Sequence, residues 1–237
     1  MELVRSEQLN YRDYLEGTQM LLDQSQEESG PYTTEVLGRS FVVLPNVFSP
    51  KYFNDTEIFA KHLPVRPGEE MLEIGPGTGA ISINAILNGS SKVVAVDINP
   101  SAVENTRLNI QRFGLIDKID ARQGDLYAPI RQDEKFDTIF WNTPFGYIDE
   151  ENISSIQRSV FDPKYRSTRK FIEEAHLHLK PNGRLLIGFS STLGKLDTLQ
   201  EIVSGAGFEM GLIYKEQSSE IHPVSFEIFE AKYKNHE

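Results

Sequence analysis

Two short runs carry residue types at spacings that chemistry can use. The first is Glu73-Ile74-Gly75-Pro76-Gly77-Thr78-Gly79, which follows a short apolar strand and leads into a helix. Glycines at such a turn let a ligand approach the backbone, and the free N–H groups of the helix start attract its negative part. Gly75, Gly77 and Ala80 satisfy the dinucleotide fingerprint G-x-G-x-x-G/A, with Asp97 at about the distance expected for a ribose-binding acid. On that spacing alone a nicotinamide dehydrogenase is one reading, and a tight strand–helix turn that merely allows close packing is another. The second run is Trp141-Asn142-Thr143-Pro144-Phe145-Gly146, at the carboxyl end of a later strand. In an open α/β sheet ligands bind beyond the carboxyl ends of strands, where strand order reverses, so both runs face one crevice. The plainer alternative for the second run is an Asx-Pro turn.

Other chemistries find little support. The chain has no Cys, which excludes a thiolate nucleophile, a disulfide framework and a thiolate zinc site. His176 and His178 stand two apart on a helix, point to different faces and cannot share a metal as an i, i+4 pair can; no metal is expected. Lys164, Arg166, Arg169 and Lys170 form the one dense basic cluster. It is either a solvated helix start or a holder for a substrate carboxylate or phosphate.

The elements that must position these residues alternate regularly. Residues 11–26 read as an amphipathic helix ended by Glu27-Glu28-Ser29-Gly30-Pro31, and 34–43 as a strand around Gly38. From about residue 55 strands and helices follow in turn. Strands are expected at 71–74, 92–98, 119–126, 136–141 and 184–189, and helices at 79–88, from Asn99-Pro100 to Gly114, at 165–179 and around 196–206. The chain ends in two β-rich runs, 209–214 and 224–233, which should pair antiparallel. This alternation predicts an α/β fold, a mostly parallel sheet covered by helices with an antiparallel C-terminal hairpin.

Set in this frame, the run E-x-G-x-G-x-G from Glu73 to Gly79 resembles the first motif of S-adenosylmethionine-dependent methyltransferases. The resemblance implies that loop amides and the helix start suit the carboxylate of that zwitterion, and that an acidic neighbour, Glu73, suits its ammonium group. It further implies that Asp97 takes both ribose hydroxyls, that Ile98 lies on the adenine face, and that Asp125 accepts the adenine amino group with Leu126 beside the ring. The second run resembles the Asn-Pro-Pro-Tyr/Phe motif of enzymes that methylate planar nitrogens. There the Asn142 side-chain oxygen and the Thr143 carbonyl would accept the two N–H groups, beside Pro144, and Phe145 would stack on the substrate. Thr143 stands where proline is usual, so a less rigid loop is expected. From about residue 40 to 210 the chain resembles the "small domain" methyltransferase superfamily, with a looser likeness to the release-factor glutamine N5-methyltransferases in Val160-Phe161-Asp162-Pro163 and Leu179-Lys180-Pro181-Asn182-Gly183. Val47-Phe48-Ser49-Pro50 followed by Asn54-Asp55-Thr56-Glu57 resembles the segment that precedes the glycine motif there and closes over the methionine end of the cofactor, which implies cofactor contacts for Phe48 and Pro50.

The expectation is therefore a Rossmann-like, seven-stranded class I methyltransferase domain over 56–237, with 1–55 as a helix-and-strand extension. Its cofactor is S-adenosyl-L-methionine, and its acceptor is a planar nitrogen of a protein side chain or a small molecule. With 24 Lys+Arg against 35 Asp+Glu the net charge is -11, which disfavours a broad grip on RNA, since phosphate neutralisation supplies most such affinity. Ribosomal or transfer RNA is the weaker substrate reading, and a non-catalytic S-adenosylmethionine-binding partner protein is the rival of another class. The first eight residues lack the apolar stretch of a secretory signal and no run reaches the ~20 apolar residues of a membrane span, so no membrane partner and a cytoplasmic setting are expected. The polar stretch from Gly146 to Ser159 is expected to act as a substrate lid; the plainer reading is a variable loop.

Overall fold

The computed structural model describes residues 10–218 and 223–234; the reading of the first eight residues and the tip of the C-terminal hairpin lie outside them. Seven strands form one sheet. They are β3 (Glu70–Ile74), β4 (Lys92–Asp97), β5 (Ile119–Gln123), β6 (Phe136–Asn142), β9 (Leu179–Phe189), β10 (Phe208–Gln217) and β11 (Ser225–Tyr233), in the order β10-β11-β9-β6-β3-β4-β5. The pairs β3–β4, β3–β6, β4–β5 and β6–β9 are parallel, whereas β11 pairs antiparallel with β9 and β10. From β3 the chain steps outward through β4 to β5, then crosses back to β6 on the other side. The strand order thus reverses between β3 and β6, and both expected site loops leave the sheet there.

Burial explains why these segments are strands. Val93 to Val96 and Leu185 to Phe189 are buried on both faces, as parallel strands between helices must be. The flanking helices are α2 (Asp55–His62), α3 (Ala80–Leu87), α4 (Pro100–Arg112), α5 (Arg166–Ala175) and α6 (Leu196–Gly205). Asn99 caps α4, its side chain accepting from Ser101 N at 3.0 Å, with Pro100 as first residue. No helix of the described residues is long and apolar enough to cross a membrane.

Several boundaries differ from the sequence reading. The single strand around Gly38 is a hairpin, β1 (Tyr32–Val36) and β2 (Arg39–Val43), because Leu37 and Gly38 both take positive φ and reverse the chain. Helix α2 was not read at all. Helix α5 stops at Ala175 and Leu179 already belongs to β9, with Pro181-Asn182-Gly183 inside that strand rather than closing a helix. The three residues fit because the β6–β9 register slips between Phe136 and Thr138, with Asn182 at φ 63°. Strand β5 ends at Gln123, short of Leu126. A further small sheet, β7 (Gly146–Ile148) with β8 (Phe161–Pro163), closes the segment after β6.

The N-terminal helix α1 (Tyr11–Ser25) packs on that segment. Leu15 and Leu22 share a small core with Phe48, Phe53, Ile148, Ile156, Val160 and Phe161. The Tyr11 hydroxyl accepts from Tyr147 N at 2.7 Å and contacts the Tyr147 carbonyl at 3.3 Å. Hairpin β1–β2 is clamped to α4 by two buried asparagines: Asn105 Oδ1 accepts from Leu44 N (2.7 Å) and Asn109 Oδ1 from Val42 N (2.9 Å).

Candidate active site

The glycine loop is held from below and behind. Gly75, Gly77 and Gly79 have φ of 63°, 55° and 79°, in the left-handed region that disfavours a side chain. At Gly75 a Cβ would also lie 2.9 Å from Trp141 Nε1. Thr106 Oγ1 donates to Gly77 O (3.0 Å) and Asn109 Nδ2 to Thr78 O (2.9 Å). Two polar side chains of α4 thus set the loop carbonyls and leave the loop facing the crevice.

A cavity of about 400 Å³ opens there, lined among others by Gly75, Gly77, Asp97, Ile98, Asp125, Leu126, Phe48, Asn142 and Pro144. Asp97 is buried at the end of β4, and its carboxylate accepts from Asn99 N (2.9 Å) and Gly77 N (3.3 Å). Burial pushes it up to about 6. Beside it Ile98 is 49% exposed and borders the cavity with its apolar side chain. Asp125 also lines the cavity, but Lys170 of α5 binds its carboxylate at 3.1 Å. Leu126, at φ 52°, is buried against it.

A second cavity, about 900 Å³, lies beyond the first and is lined by α1, Pro50, Phe53, Asp55, Thr143 and Phe145. Phe48 and Ser159 line both. The boundary carries Asn142, at the end of β6. Its Nδ2 donates to Asp55 Oδ2 at 2.7 Å, whereas its buried Oδ1 has no partner among the described residues; nor has Asp55 Oδ1. A buried acceptor left open costs free energy, and here two lie side by side. Gly188 of β9 makes room for this end of β6: a Cβ would fall 3.2 Å from Asn142 Cα.

The loop after Asn142 is tighter than a missing proline suggests. Thr143 sends both its N–H (3.1 Å) and its hydroxyl (2.8 Å) to Gly188 O, a double tether that proline cannot make. The buried Tyr165 hydroxyl donates to Phe145 O at 2.6 Å and accepts from Lys195 N at 2.9 Å. The Phe145 ring meets Phe59 and Phe189 edge-on, with centroids 6.4 and 6.0 Å away.

The structure brings together most of the residues singled out in the sequence, but not all in one place. Glu73 lines neither cavity. It lies buried behind the glycine loop, takes the Ser82 hydroxyl, and is pushed by burial up to about 7. Gly79 caps α3 rather than lining a cavity, and Pro50, Thr143 and Phe145 face the second cavity alone. The basic cluster is spent internally: Lys164 and Arg166 bind Glu151 (2.9 and 2.7 Å), Arg169 approaches Glu173 (3.8 Å), and Lys170 holds Asp125. Ser155, Ile156 and Arg158 of the segment read as a lid do line the first cavity. Thr56, Thr78, Asn99 and Trp141 line it as well; each stands in or beside a run quoted from the sequence, but none was assigned a ligand contact there.

Three buried carboxyls, Asp55, Glu73 and Asp97, are held by desolvation at about 6, 7 and 6, above their ordinary values of 3.8, 4.5 and 3.8. A raised folded-state value means stability is greatest below the unfolded value and is lost as pH rises through the folded one. The melting temperature of the free protein is therefore expected to fall by several degrees between pH 5 and pH 8, as followed by calorimetry. Substitution Glu73→Gln should flatten part of that fall.

The chain is similar to known proteins over most of its length. A family model described as methyltransferase small domain matches residues 38–208. A Methanocaldococcus jannaschii protein provisionally named as a protein N5-glutamine methyltransferase is 32% identical, over 71% of this chain and 84% of that one. The release factor glutamine methyltransferase of Aquifex aeolicus is 31% identical, over 75% of this chain and 66% of its own length. A solved structure of the T. thermophilus 16S rRNA N2 G1207 methyltransferase, in complex with AdoMet and guanosine, superposes with a TM-score of 0.62 at 19% identity, over 86% of this chain and 50% of that one. At that identity the likeness concerns the fold alone.

Proposed function

The chain belongs to the methyltransferase small domain family, and on that footing we propose that it uses S-adenosyl-L-methionine to methylate a planar amide nitrogen, that of a glutamine-like side chain of a protein. The observation that carries the proposal is Asn142 Oδ1, buried and unpartnered at the boundary of two cavities. Residues 56–237 form the transferase domain in this reading, and 1–55 an extension, of which α1 lines the acceptor side. A cytoplasmic setting is part of the same proposal.

The first cavity suits the cofactor in volume and lining. Asp97 would hold the ribose hydroxyls, Ile98 the adenine face, Asp125 and Leu126 the adenine edge, and the Gly75–Gly77 loop with Phe48 the methionine end. Glu73 acts at one remove, bracing α3 through Ser82. When bound, S-adenosylmethionine supplies a methyl group on a positively charged sulfur. The protein's own part is positioning. An amide nitrogen is a poor nucleophile because its lone pair is delocalised; acceptors on its N–H groups draw it towards a pyramidal shape and aim the lone pair. Asn142 Oδ1 is one such acceptor and the Thr143 carbonyl the other, with Phe145 beside the planar group. No acid–base residue is required for the bond-making step, so catalysis rests on orientation and on acceptors prepared in a dry site.

Relatives named for glutamine methylation support a protein acceptor over RNA, as does the net charge of -11. Purified protein incubated with methyl-labelled donor and host lysate, then separated into protein, RNA and small-molecule fractions, should label the protein fraction at a glutamine-type amide. Label confined to RNA, together with tight and steeply salt-dependent RNA binding, would overturn the choice of acceptor. No label in any fraction despite donor binding would favour the non-catalytic alternative.

A further inference from the structure

We infer that Asp55 is a positioning residue that decides which end of the Asn142 amide faces the acceptor; the inference rests on the function proposed above. The oxygen and nitrogen ends of an asparagine amide are nearly the same size, so packing alone does not choose between them. Yet the choice decides the chemistry. With Oδ1 forward the site accepts a substrate N–H; with Nδ2 forward it presents a donor to a donor and repels it.

Asp55 settles the matter through its own limits. An ionised carboxylate accepts hydrogen bonds and cannot give them. Placed 2.7 Å from Asn142 Nδ2, it binds the nitrogen end and leaves Oδ1 free. Asparagine or serine at position 55 could donate as readily as accept and would permit both orientations. The cost of the device is visible: Asp55 is the buried first residue of α2, in a chain of net charge -11, with Oδ1 unpartnered. The start of α2 offsets part of the charge, yet burial still holds the carboxyl above its ordinary range and leaves one oxygen open. Its place matches the role, since Asp55 lines the second cavity and Asn142 the first, and their hydrogen bond crosses the boundary over which a methyl group has to pass.

A double-mutant cycle tests this in the full chain. Asp55→Ala should lower turnover with the labelled protein fraction by roughly 10- to 100-fold, as a misplaced catalytic group does, while donor affinity by calorimetry changes less than about two-fold. In the Asn142→Ala background, Asp55→Ala should add nothing, because there is no amide left to orient. Asp55→Asn, nearly isosteric, should fall between wild type and Asp55→Ala and carries the cycle if the alanine variant does not fold. A readout free of turnover is the ¹⁵N-labelled side-chain amide of Asn142: its proton signals should be shifted and slow to exchange in wild type, and should lose both features in the Asp55 variants. Multiplicative effects of the two substitutions, or Asn142 amide signals unchanged when Asp55 is replaced, would overturn the inference. Unimpaired turnover in Asn142→Ala alone would instead strike the proposed function, with the amide signals still reporting on Asp55.

Discussion

The Asn142→Ala protein is expected to transfer methyl groups about 10²- to 10³-fold more slowly than wild type, the range found when one prepared polar group of an active site is removed. Donor affinity should stay within about two-fold, because the loss falls on an interaction that strengthens only as the nitrogen pyramidalises. The size of the effect follows from where Oδ1 sits. It is buried, without a partner among the described residues, in a site walled by Trp141 and Pro144, and an acceptor kept dry acts on developing charge far more strongly than one in water. Replacement also strips Asp55 of its Nδ2–H donor, so that carboxyl should rise above its already elevated value of about 6 and spend more time neutral. Single-turnover rates with labelled donor, set beside calorimetric titration, separate the two quantities. Wild-type turnover in the variant would remove Asn142 from the mechanism.

What the sequence made legible was what lies close together along the chain. The glycines from Gly75 to Gly79, Asp97 one strand later, and the Asn142–Phe145 run all carry their meaning in local spacing, and strand alternation placed them at the same edge of the sheet. The supports of the site were hidden because each joins distant segments. Asp55 meets Asn142 across 87 positions and Thr143 meets Gly188 across 45; Gly188 has no local signature, and nothing in the Asn54-Asp55-Thr56-Glu57 run points to Asn142. Thr106 and Asn109 read as unremarkable polar positions on a helix, although they set the carbonyls of Gly77 and Thr78. Glu73 is a converse case: its position in the motif suggests a ligand contact, and its side chain takes the Ser82 hydroxyl behind the loop. Spacing reports proximity along a strand, and not which side of the sheet a side chain takes once the strand is packed.

Asp97→Asn should separate binding from stability in opposite directions. The donor is expected to bind roughly 10- to 100-fold more weakly, since hydrogen bonds to a charged group are worth about 1.5–3 kcal/mol and an amide offers one acceptor oxygen where the carboxylate offers two. The free protein should nevertheless be more stable than wild type at pH 8. Burial lifts Asp97 from 3.8 to about 6, and about two pKa units correspond to roughly 3 kcal/mol spent on keeping the charge inside the fold. Against this stands one lost backbone hydrogen bond: the amide nitrogen turns to the longer contact, Gly77 N at 3.3 Å, and meets it donor to donor, a loss of about 1–2 kcal/mol. The advantage should shrink towards pH 5, where wild-type Asp97 is itself taking up its proton. Melting curves at the two pH values, with calorimetry of donor binding on the same samples, test both halves. A variant that melts higher yet binds the donor poorly cannot be dismissed as misfolded. Retained wild-type affinity would show that the carboxylate serves the glycine loop and the start of α4 and has no part in holding the ribose.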